Sequence, residues 1–594
     1  MKKLFSYLRD YRRECILAPL MKLLEASFEL IVPLIVAMLI DQGIANRDHG
    51  MIWRCCLWMI LLALVGFCSA VTAQYFAAKA AMGFGKKVKQ ALFEHIQLFS
   101  FRQLDRFGEA GLLNRLTNDV NQVQNGVNQV LRLFLRSPFI VFGAMVMAFT
   151  VDTRGAIIFV ILIPLLSLAV AGVTLFSLPL MRKAQKRLDI LTRIARENLT
   201  GTRVIRAFHR EETEVNRFRK ENRTLTGYQT TAGRISALLN PMTFIIVNVS
   251  LVMLLHKGSY RVFDGELTRG ELVALINYMS QILVELIKLA NLIVSVTKAS
   301  ASAVRLKELF ETQPDMQYPK TSPVGDGSGR VCFEDVSLSY FENAAPAIDH
   351  ITFTASRGAT IGILGGTGSG KTTLVNALGR LYDVTAGCVT INGEDVRKYA
   401  QEDLRNMVGY VLQKATLMSG TVADNLRMGA PNATSEEMQQ ALQIAQAWDF
   451  LEKKDGLQTR VESGGRNFSG GQQQRLSVAR TLVTHPQVLV LDDSGSALDY
   501  ATDANMRRAI VQMPDRPTLF IVSQRTSSVM GADLILVLDD GKCVGMGDHE
   551  TLLATCKQYR EIYETQFRDS VAQKNMQTAV GISDEGEQLN AQTK

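Results

Sequence analysis

Hydrophobic positions follow two different patterns along the chain, and the change falls near residue 315. Before it lie six apolar runs of about 20 residues, each long enough to cross a hydrocarbon core ~30 Å thick. These runs cover residues 15–40, 55–80, 131–151, 156–180, 238–256 and 271–295. After it, strand and helix patterns alternate with glycine punctuation, as in α/β domains. The sequence therefore predicts an α-helical polytopic membrane domain with six transmembrane helices, followed by an α/β domain.

Polar segments between the spans also have helical periodicity, notably residues 112–127 and 197–218. They are too regular for loops, and continuous helices projecting into the cytoplasm would suit them, since each residue adds about 1.5 Å of rise. The bend between two such helices is a natural place to touch a soluble domain. We therefore predict contact helices near 115–121 and 207–213.

Lysine and arginine are concentrated before the first span and after the second and fourth, which predicts that both termini lie in the cytoplasm. The residues are Lys2, Lys3, Arg9, Arg12, Arg13, Lys86, Lys87, Lys89, Arg182, Lys183, Lys186 and Arg187. Residues 1–14 lack the apolar core of a secretory signal and favour an amphipathic helix on the inner surface. We expect a multi-pass protein of a bacterial plasma (inner) membrane.

The net charge of +8 does not indicate nucleic-acid binding, because much of the excess adjoins membrane spans and would face anionic headgroups. The eight cysteines show no CxxC pair and no histidine at ligand spacing, so structural thiols are expected. The predicted organisation is a membrane domain over 1–314, a linker rich in Pro, Gly and Ser over 315–329, a nucleotide-binding domain over 330–568 and a disordered tail over 569–594.

A phosphate-binding loop opens the second half. Gly365, four further residues, Gly370, Lys371 and Thr372 follow an apolar strand-like run and precede a helical one, which is the Walker A context. Its glycines let backbone N–H groups close on phosphates, Lys371 supplies positive charge, and the Thr372 hydroxyl reaches Mg²⁺. The predicted ligands are therefore ATP and Mg²⁺. The loop and the first residues of the helix predicted to follow it are Gly365, Gly366, Thr367, Gly368, Ser369, Gly370, Lys371, Thr372 and Thr373.

Downstream, the sequence NFSGGQQQRLSVARTL (467–482) precedes the strand VLVLDD by one helix, and here the chain resembles the ATP-binding cassette (ABC) transporter family, in its exporter branch. The resemblance implies that Tyr340 stacks on adenine, that Gln413 is the Q-loop residue beside Mg²⁺, and that Asp492 is the Walker B acid. It implies a D-loop at Ser496, Ala497, Leu498 and Asp499. It also implies a signature that faces the ATP of an opposite subunit, at Phe468, Ser469, Gly470, Gly471 and Gln472.

Two positions depart from the family pattern. Asp493 stands where the family usually has Glu, which retracts the carboxylate by about 1 Å, and a misplacement of that size can cost ~100-fold in rate. Gln524 stands where the family usually has His, and an amide carries neither a proton nor a positive charge. The combination resembles one subunit of a heterodimeric exporter that carries a degenerate ATP site and an intact signature. The implied partner is a second half-transporter.

Charged residues inside the spans are candidates for the transport path. Lys22, Glu25 and Glu29 share one face of the first span, and Glu285 and Lys288 lie three apart in the last. Glu29 and Glu285 are the path candidates, since an acidic cavity would favour cationic amphiphiles, whereas a structural ion pair is the alternative. The expected cargo is drugs or other hydrophobic compounds. A lipid or peptide exporter, and a nucleotide-gated regulator, remain alternatives.

Overall fold

The computed structural model describes residues 2–341 and 344–567. The chain divides into two compact units. The first comprises Met1–Leu98 and Gly108–Gln313, and the second comprises Phe99–Phe107 and the chain from Pro314 onward. The tail predicted over 569–594 lies outside the described residues.

Six long helices dominate the first unit, and each is apolar enough to cross a membrane. They are α1 (Ser6–Ile44), α2 (His49–Gln97), α3 (Glu109–Val151), α4 (Thr153–Thr200), α5 (Glu211–Phe263) and α6 (Arg269–Glu311). Every predicted span lies inside one of them, so the prediction of six transmembrane helices is confirmed. A short helix, Thr202–Ala207, lies between α4 and α5.

Side-chain caps explain where these helices begin. Asp48 accepts a hydrogen bond from the amide of Met51 at the start of α2, and Asp152 accepts one of 2.7 Å from Gly155 at the start of α4. Thr268 and Glu271 form a capping box at the start of α6. Each cap satisfies N–H groups that have no partner within the helix.

Two of the helices continue well past their apolar runs, as the polar periodicity predicts. α2 extends from the predicted end at 80 to Gln97, which adds about 25 Å at 1.5 Å per residue. The contact expected for residues 115–121 stays a prediction. Residues Arg115–Asp119 are a π-helical part of α3, and Asp119 is 2% exposed because it pairs with Arg305 of α6.

The short helix Phe101–Phe107 is itself part of the second unit. Asp105 accepts a 2.6 Å hydrogen bond from the hydroxyl of Tyr382, and the Arg102 guanidinium donates one of 3.1 Å to the carbonyl of Ser339. The second predicted contact region holds an exposed turn in which Phe208 is 74% exposed. Its role in contact stays a prediction.

The second unit is built on three β-sheets. The largest has six strands in the spatial order Lys542–Gly547, Leu534–Asp539, Thr360–Gly365, Thr518–Ser523, Val488–Asp492 and Val408–Val411. A four-stranded sheet has the order Ile348–Ala355, Val331–Leu338, Ala386–Ile391 and Glu394–Asp395, and Gly420–Thr421 pairs with Arg460–Val461. Within the largest sheet every pairing is parallel except the one between Leu534–Asp539 and Lys542–Gly547. The predicted α/β fold is confirmed.

Helices cover the sheets of this unit. They are Lys371–Leu378, Gln401–Met407, Val422–Arg427, Ser435–Ile444, Trp448–Glu452, Gly470–Leu482, Tyr500–Val511, Thr526–Val529, His549–Thr555 and Lys557–Gln566. The strands Thr360–Gly365, Val488–Asp492 and Thr518–Ser523 are buried along their whole length, which explains their continuous apolar sequence. Their carboxyl ends meet at one edge, where the candidate site lies.

Candidate active site

The phosphate-binding loop joins the strand Thr360–Gly365 to the helix Lys371–Leu378. Gly368 and Gly370 have φ angles of 84° and 96°, a region that side-chain-bearing residues rarely adopt. A Cβ on Gly370 would lie 2.6 Å from the carbonyl oxygen of Ala347. Glycine is therefore required here by both backbone conformation and space, and the loop has the shape that a phosphate cradle needs.

Lys371 and Thr372 carry the polar chemistry at the start of this helix. The Lys371 ammonium donates to the carbonyl of Gly366 and to the hydroxyl of Ser369, so it lies folded over the loop. Burial lowers the pKa of Lys371. The hydroxyl of Thr372 donates a 3.1 Å hydrogen bond to Oδ1 of Asp492. A hydroxyl and a carboxylate oxygen side by side are hard oxygen ligands, and they fit Mg²⁺.

Asp492 ends its strand in a buried position, 2% exposed. Burial raises the pKa of this carboxyl, and hydrogen bonds from Thr372 and Tyr410 oppose the shift. Tyr410 in turn donates a 2.8 Å hydrogen bond to Asn376, inside the helix that follows the phosphate loop. Three elements of the sheet edge are thus joined around one carboxylate, which positions it before any ligand binds.

Asp493 follows directly and turns the chain. Its φ of 47° lies in the left-handed region, which Asp tolerates better than most residues. Its amide donates to the carbonyl of Val522, and its carboxylate accepts a 3.3 Å hydrogen bond from the Gln413 side chain. Burial raises the pKa of the Asp493 carboxyl. Gln413, the predicted Q-loop residue, and Asp493, which follows the predicted Walker B acid, are therefore in direct contact.

Gln524 follows the buried strand Thr518–Ser523, at the same edge of the sheet as the phosphate loop. The Gln524 side chain is exposed, while its backbone carbonyl accepts a hydrogen bond from a residue of the last described helix. The Gln566 amide donates a 2.7 Å hydrogen bond to the carbonyl of Gln524 and accepts one of 2.8 Å from the amide of Thr526. Gln566 therefore fixes the segment that presents Gln524.

Tyr340 lies against the phosphate-loop helix. Its hydroxyl is 2.9 Å from the Thr373 hydroxyl, and its ring meets Tyr382 edge-on with centroids 4.9 Å apart. This placement puts an aromatic ring beside the loop, where a nucleotide base would extend from the phosphates. Adenine stacking on Tyr340 stays a prediction.

The predicted signature begins a different helix, Gly470–Leu482. Ser469 caps it, and Gln472 completes a capping box with a 3.0 Å hydrogen bond from the Ser469 amide. Phe468 is buried, whereas Ser469 and Gly470 are exposed. Within the described part of the chain, the hydrogen bonds of residues 468–472 lead to none of residues 365–373. This chain's own phosphate loop leaves the signature cradle uncovered.

The predicted D-loop, Ser496–Asp499, packs next to the signature. A Cβ on Gly471 would lie 2.8 Å from the carbonyl oxygen of Ala497. Asp499 caps the following helix through the amide of Thr502, and these hydrogen bonds hold the pKa of Asp499 below its usual range. The Arg525 guanidinium donates to the carbonyls of Gly495, Ser496 and Leu498 at 3.4 to 3.5 Å. Arg525 thus joins the D-loop to the Gln524 segment.

The transport-path candidates meet on one guanidinium in the first unit. Arg136 of α3 donates at 2.6 Å to Glu285 of α6 and at 2.8 Å to both oxygens of Glu29 of α1. Ser137 and Lys288 also donate to Glu285, which is 3% exposed. A cavity of about 370 Å³ adjoins this cluster.

The charges of this cluster balance, which corrects the expected acidic cavity. Three carboxylates are matched by three cations. The carboxylates are Glu25, Glu29 and Glu285, and the cations are Lys22, Arg136 and Lys288. Their formal charges therefore sum to zero, and a preference for cations does not follow from them.

Sequence reasoning missed four residues that organise these sites. Arg136 lies inside a predicted span, so the rule that flagged Glu29 and Glu285 would also have found it. Tyr410, Arg525 and Gln566 act through contacts between segments distant in sequence, and no local pattern marks them.

Two family models match the chain. Residues 15–286 match the model described as ABC transporter transmembrane region, and residues 348–496 match the model described as ABC transporter. The first match covers α1 to α5 and part of α6, and the second covers the phosphate loop, the signature and Asp493.

Known proteins align over almost the whole length. An uncharacterized ABC transporter ATP-binding protein of Mycobacterium tuberculosis is 38% identical over 94% of this chain and 97% of its own. An ATP-dependent lipid A-core flippase of Vibrio vulnificus is 27% identical over 95% and 97%. A solved structure of a bacterial Atm1-family ABC exporter with ATP bound has a TM-score of 0.77 at 22% identity, covering 93% of this chain and 98% of that one. The last likeness concerns the fold.

Proposed function

The chain belongs to the ABC transporter family and is an ATP-hydrolysing membrane transporter subunit of the exporter type, and we propose that it works as one half of a heterodimer with a degenerate ATP site. The proposal rests on two features that occur together. The signature at residues 468–472 is complete and is not covered by this chain's own phosphate loop. Asp493 and Gln524, however, stand where the family usually has Glu and His. A signature cradle is useful only to a nucleotide held by another subunit. A second half-transporter therefore completes the machine.

The chain's own ATP site is proposed to bind well and hydrolyse slowly. Lys371 and the loop amides would hold the phosphates, and Thr372, Asp492 and Gln413 would hold Mg²⁺, which when bound would neutralise charge on the phosphate oxygens. The carboxylate of Asp493 is one methylene short of the usual acid and shares Gln413 as its hydrogen-bond donor. Gln524 offers an amide where a protonatable ring would orient the γ-phosphate. Both departures weaken positioning of the attacking water.

Export follows from closure of two such ATPase domains. ATP binding would draw the two signatures onto opposite phosphate loops and turn the cavity between the spans outward, and hydrolysis at the site completed by Ser469–Gln472 of this chain would reset it. We place both termini in the cytoplasm of a bacterium and the spans in its inner membrane. We place the domain boundaries at 314, 329 and 568.

The proposed cargo is a drug or another hydrophobic or amphiphilic compound. A lipid cargo is the second candidate, since a flippase aligns with this chain end to end. Peptide export and nucleotide-gated regulation without pumping stay alternatives of the same fold. ATP-driven uptake of a fluorescent amphiphile into inside-out vesicles would support a pump. This uptake should be lost when Lys371→Ala is introduced and hydrolysis in the partner is blocked. ATP binding with no flux of any tested lipid or dye would favour the regulator.

The nucleotide state of the purified complex tests the degenerate site directly. After incubation with ATP and Mg²⁺, photo-crosslinking should recover unhydrolysed ATP on this chain and ADP on the partner. Equal ADP on the two chains would contradict the proposal.

A further inference from the structure

A second cavity of the membrane unit, distinct from the one beside Arg136, lies between α3 and α6 and has a volume of about 280 Å³. Four side-chain amides, a guanidinium and an ammonium line it, together with one serine hydroxyl. The amides and cations belong to Gln122, Asn125, Asn128, Gln129, Arg132 and Lys298, and the hydroxyl belongs to Ser295. A lining with two positive charges and no carboxylate is unusual among packed helices, where charges are normally paired.

None of these six side chains has a hydrogen-bond or ion-pair partner among the residues that the structure describes. The Nε of Arg132 is buried without an acceptor. A guanidinium N–H held away from water without a partner costs free energy, and a ligand oxygen would recover it. The Arg132 Nε is thus the buried donor that lacks an acceptor, while Lys298, Gln122 and Asn125 are exposed at the rim of the cavity.

Carboxylates nearby on the same two helices are already engaged. Asp119 pairs with Arg305, and Glu308 pairs with Arg115. Glu285 is held by Arg136 and Lys288. Glu311 pairs with Lys307. Among the described residues of this part of α3 and α6, no acid is left to neutralise Arg132 and Lys298, so the positive charge of the cavity is available to a ligand.

Close packing of the two helices forms the cavity before any ligand arrives. A Cβ on Gly126 would lie 2.3 Å from the Cβ of Ala299, so the backbone of α3 approaches α6 closely at this level. Lys298 lies ten residues beyond Lys288, which is about 15 Å along α6. Arg132 lies four residues before Arg136, which is about 6 Å along α3. The cavity is therefore a neighbour of the balanced cluster with its own lining residues, on the side that the lysine and arginine distribution predicts to be cytoplasmic.

We propose that this cavity binds the oxyanion group of an anionic amphiphile, such as a phosphate. Arg132 would supply a planar fork of N–H donors, Lys298 a point charge and the amides neutral donors, which together match a tetrahedral oxyanion. The source is a lipid headgroup or a soluble phosphorylated solute, and both have this chemistry. The proposal names the substrate class of the exporter proposed above and rests on that function for its role in transport.

Binding can be measured on the full chain without ATP and without a partner, so its outcome is independent of whether the chain pumps. Native mass spectrometry in neutral detergent would compare phosphatidylglycerol with phosphatidylcholine, with inorganic phosphate as competitor. The test variant is Arg132→Gln with Lys298→Gln. The matched control is Lys257→Gln with Arg269→Gln, which removes two exposed cations elsewhere on α5 and α6.

We expect phosphatidylglycerol to bind the parent chain at least ~10-fold more tightly than phosphatidylcholine, a difference that the test variant removes and the control keeps. Displacement by millimolar phosphate would identify a soluble oxyanion as sufficient, and retention against phosphate would identify a lipid headgroup. Equal binding of the two lipids, or an unchanged preference in the test variant, would overturn the proposal. A test variant that stops assembling with the partner but keeps its lipid preference would instead make the cavity a subunit interface.

Discussion

The side chain of Gln413 lies 3.3 Å from Oδ2 of Asp493, so the Q-loop amide donates directly to the acid that follows Walker B. One of the two Asp493 carboxylate oxygens is therefore already engaged by a hydrogen bond. A longer side chain would extend past Gln413 by about one methylene. The proposal of a slow ATP site therefore depends on the reach of the Asp493 side chain, which the following variants test.

Asp493→Glu together with Gln524→His should raise hydrolysis at this site by ~10- to 100-fold, because reach and a protonatable ring are restored. The assay is ATP turnover by the complex with the partner's own hydrolysis blocked. Because the residue at 493 has φ of 47°, the Glu variant should also lose about 1 kcal/mol of stability relative to Asp. Unchanged turnover despite a folded double variant would contradict the explanation by reach.

Gln566→Ala should loosen the segment that carries Gln524, because two hydrogen bonds of 2.7 and 2.8 Å disappear. Each is worth about 1 kcal/mol, so the Thr526 amide should exchange hydrogen roughly 10-fold faster. Gln558→Ala, a change on the same helix, is the control and should leave that exchange unaltered. Equal exchange in both variants would show that Gln566 does not hold the segment.

Arg136→Met should destabilise the membrane unit by roughly 3 to 5 kcal/mol, because Glu285 would stay buried without its main cationic partner. Arg136→Met combined with Glu285→Gln removes both charges and should recover much of that loss. Thermal unfolding in lipid nanodiscs measures both. Equal losses of stability in the single and double variants would mean that Arg136 stabilises the unit by packing rather than by balancing charge.

Asp492→Asn should make the nucleotide-free chain more stable at neutral pH. Burial raises the pKa of Asp492 above its value in the unfolded chain, so the folded state binds the proton more readily. Stability is therefore fully present below the unfolded pKa and declines as pH rises through the folded pKa. The Asn variant should melt higher than the parent at pH 7 but equally near pH 3, and it should lose Mg²⁺-dependent ATP binding. A lower melting temperature at pH 7 would contradict this.

The sequence allowed the membrane helices and the phosphate loop to be predicted, because both depend on local properties. A run of about 20 apolar residues is typical of a membrane-spanning helix. Gly370 belongs to a recognisable motif because its backbone conformation excludes residues with side chains. The short helix Phe101–Phe107 was missed because its packing depends on Tyr382 and Ser339, far along the chain. The Arg136 cluster joins three helices, and only their packing shows that its charges cancel.

ATPase activity of the purified chain, alone and with a candidate partner half-transporter, tests the heterodimer most directly. A heterodimer with one degenerate ATP site should show little turnover by the chain alone and strong turnover by the pair, and Ser469→Ala in this chain should reduce the activity of the pair. High turnover by the chain alone would mean a working homodimer, in which Asp493 and Gln524 are competent catalytic residues.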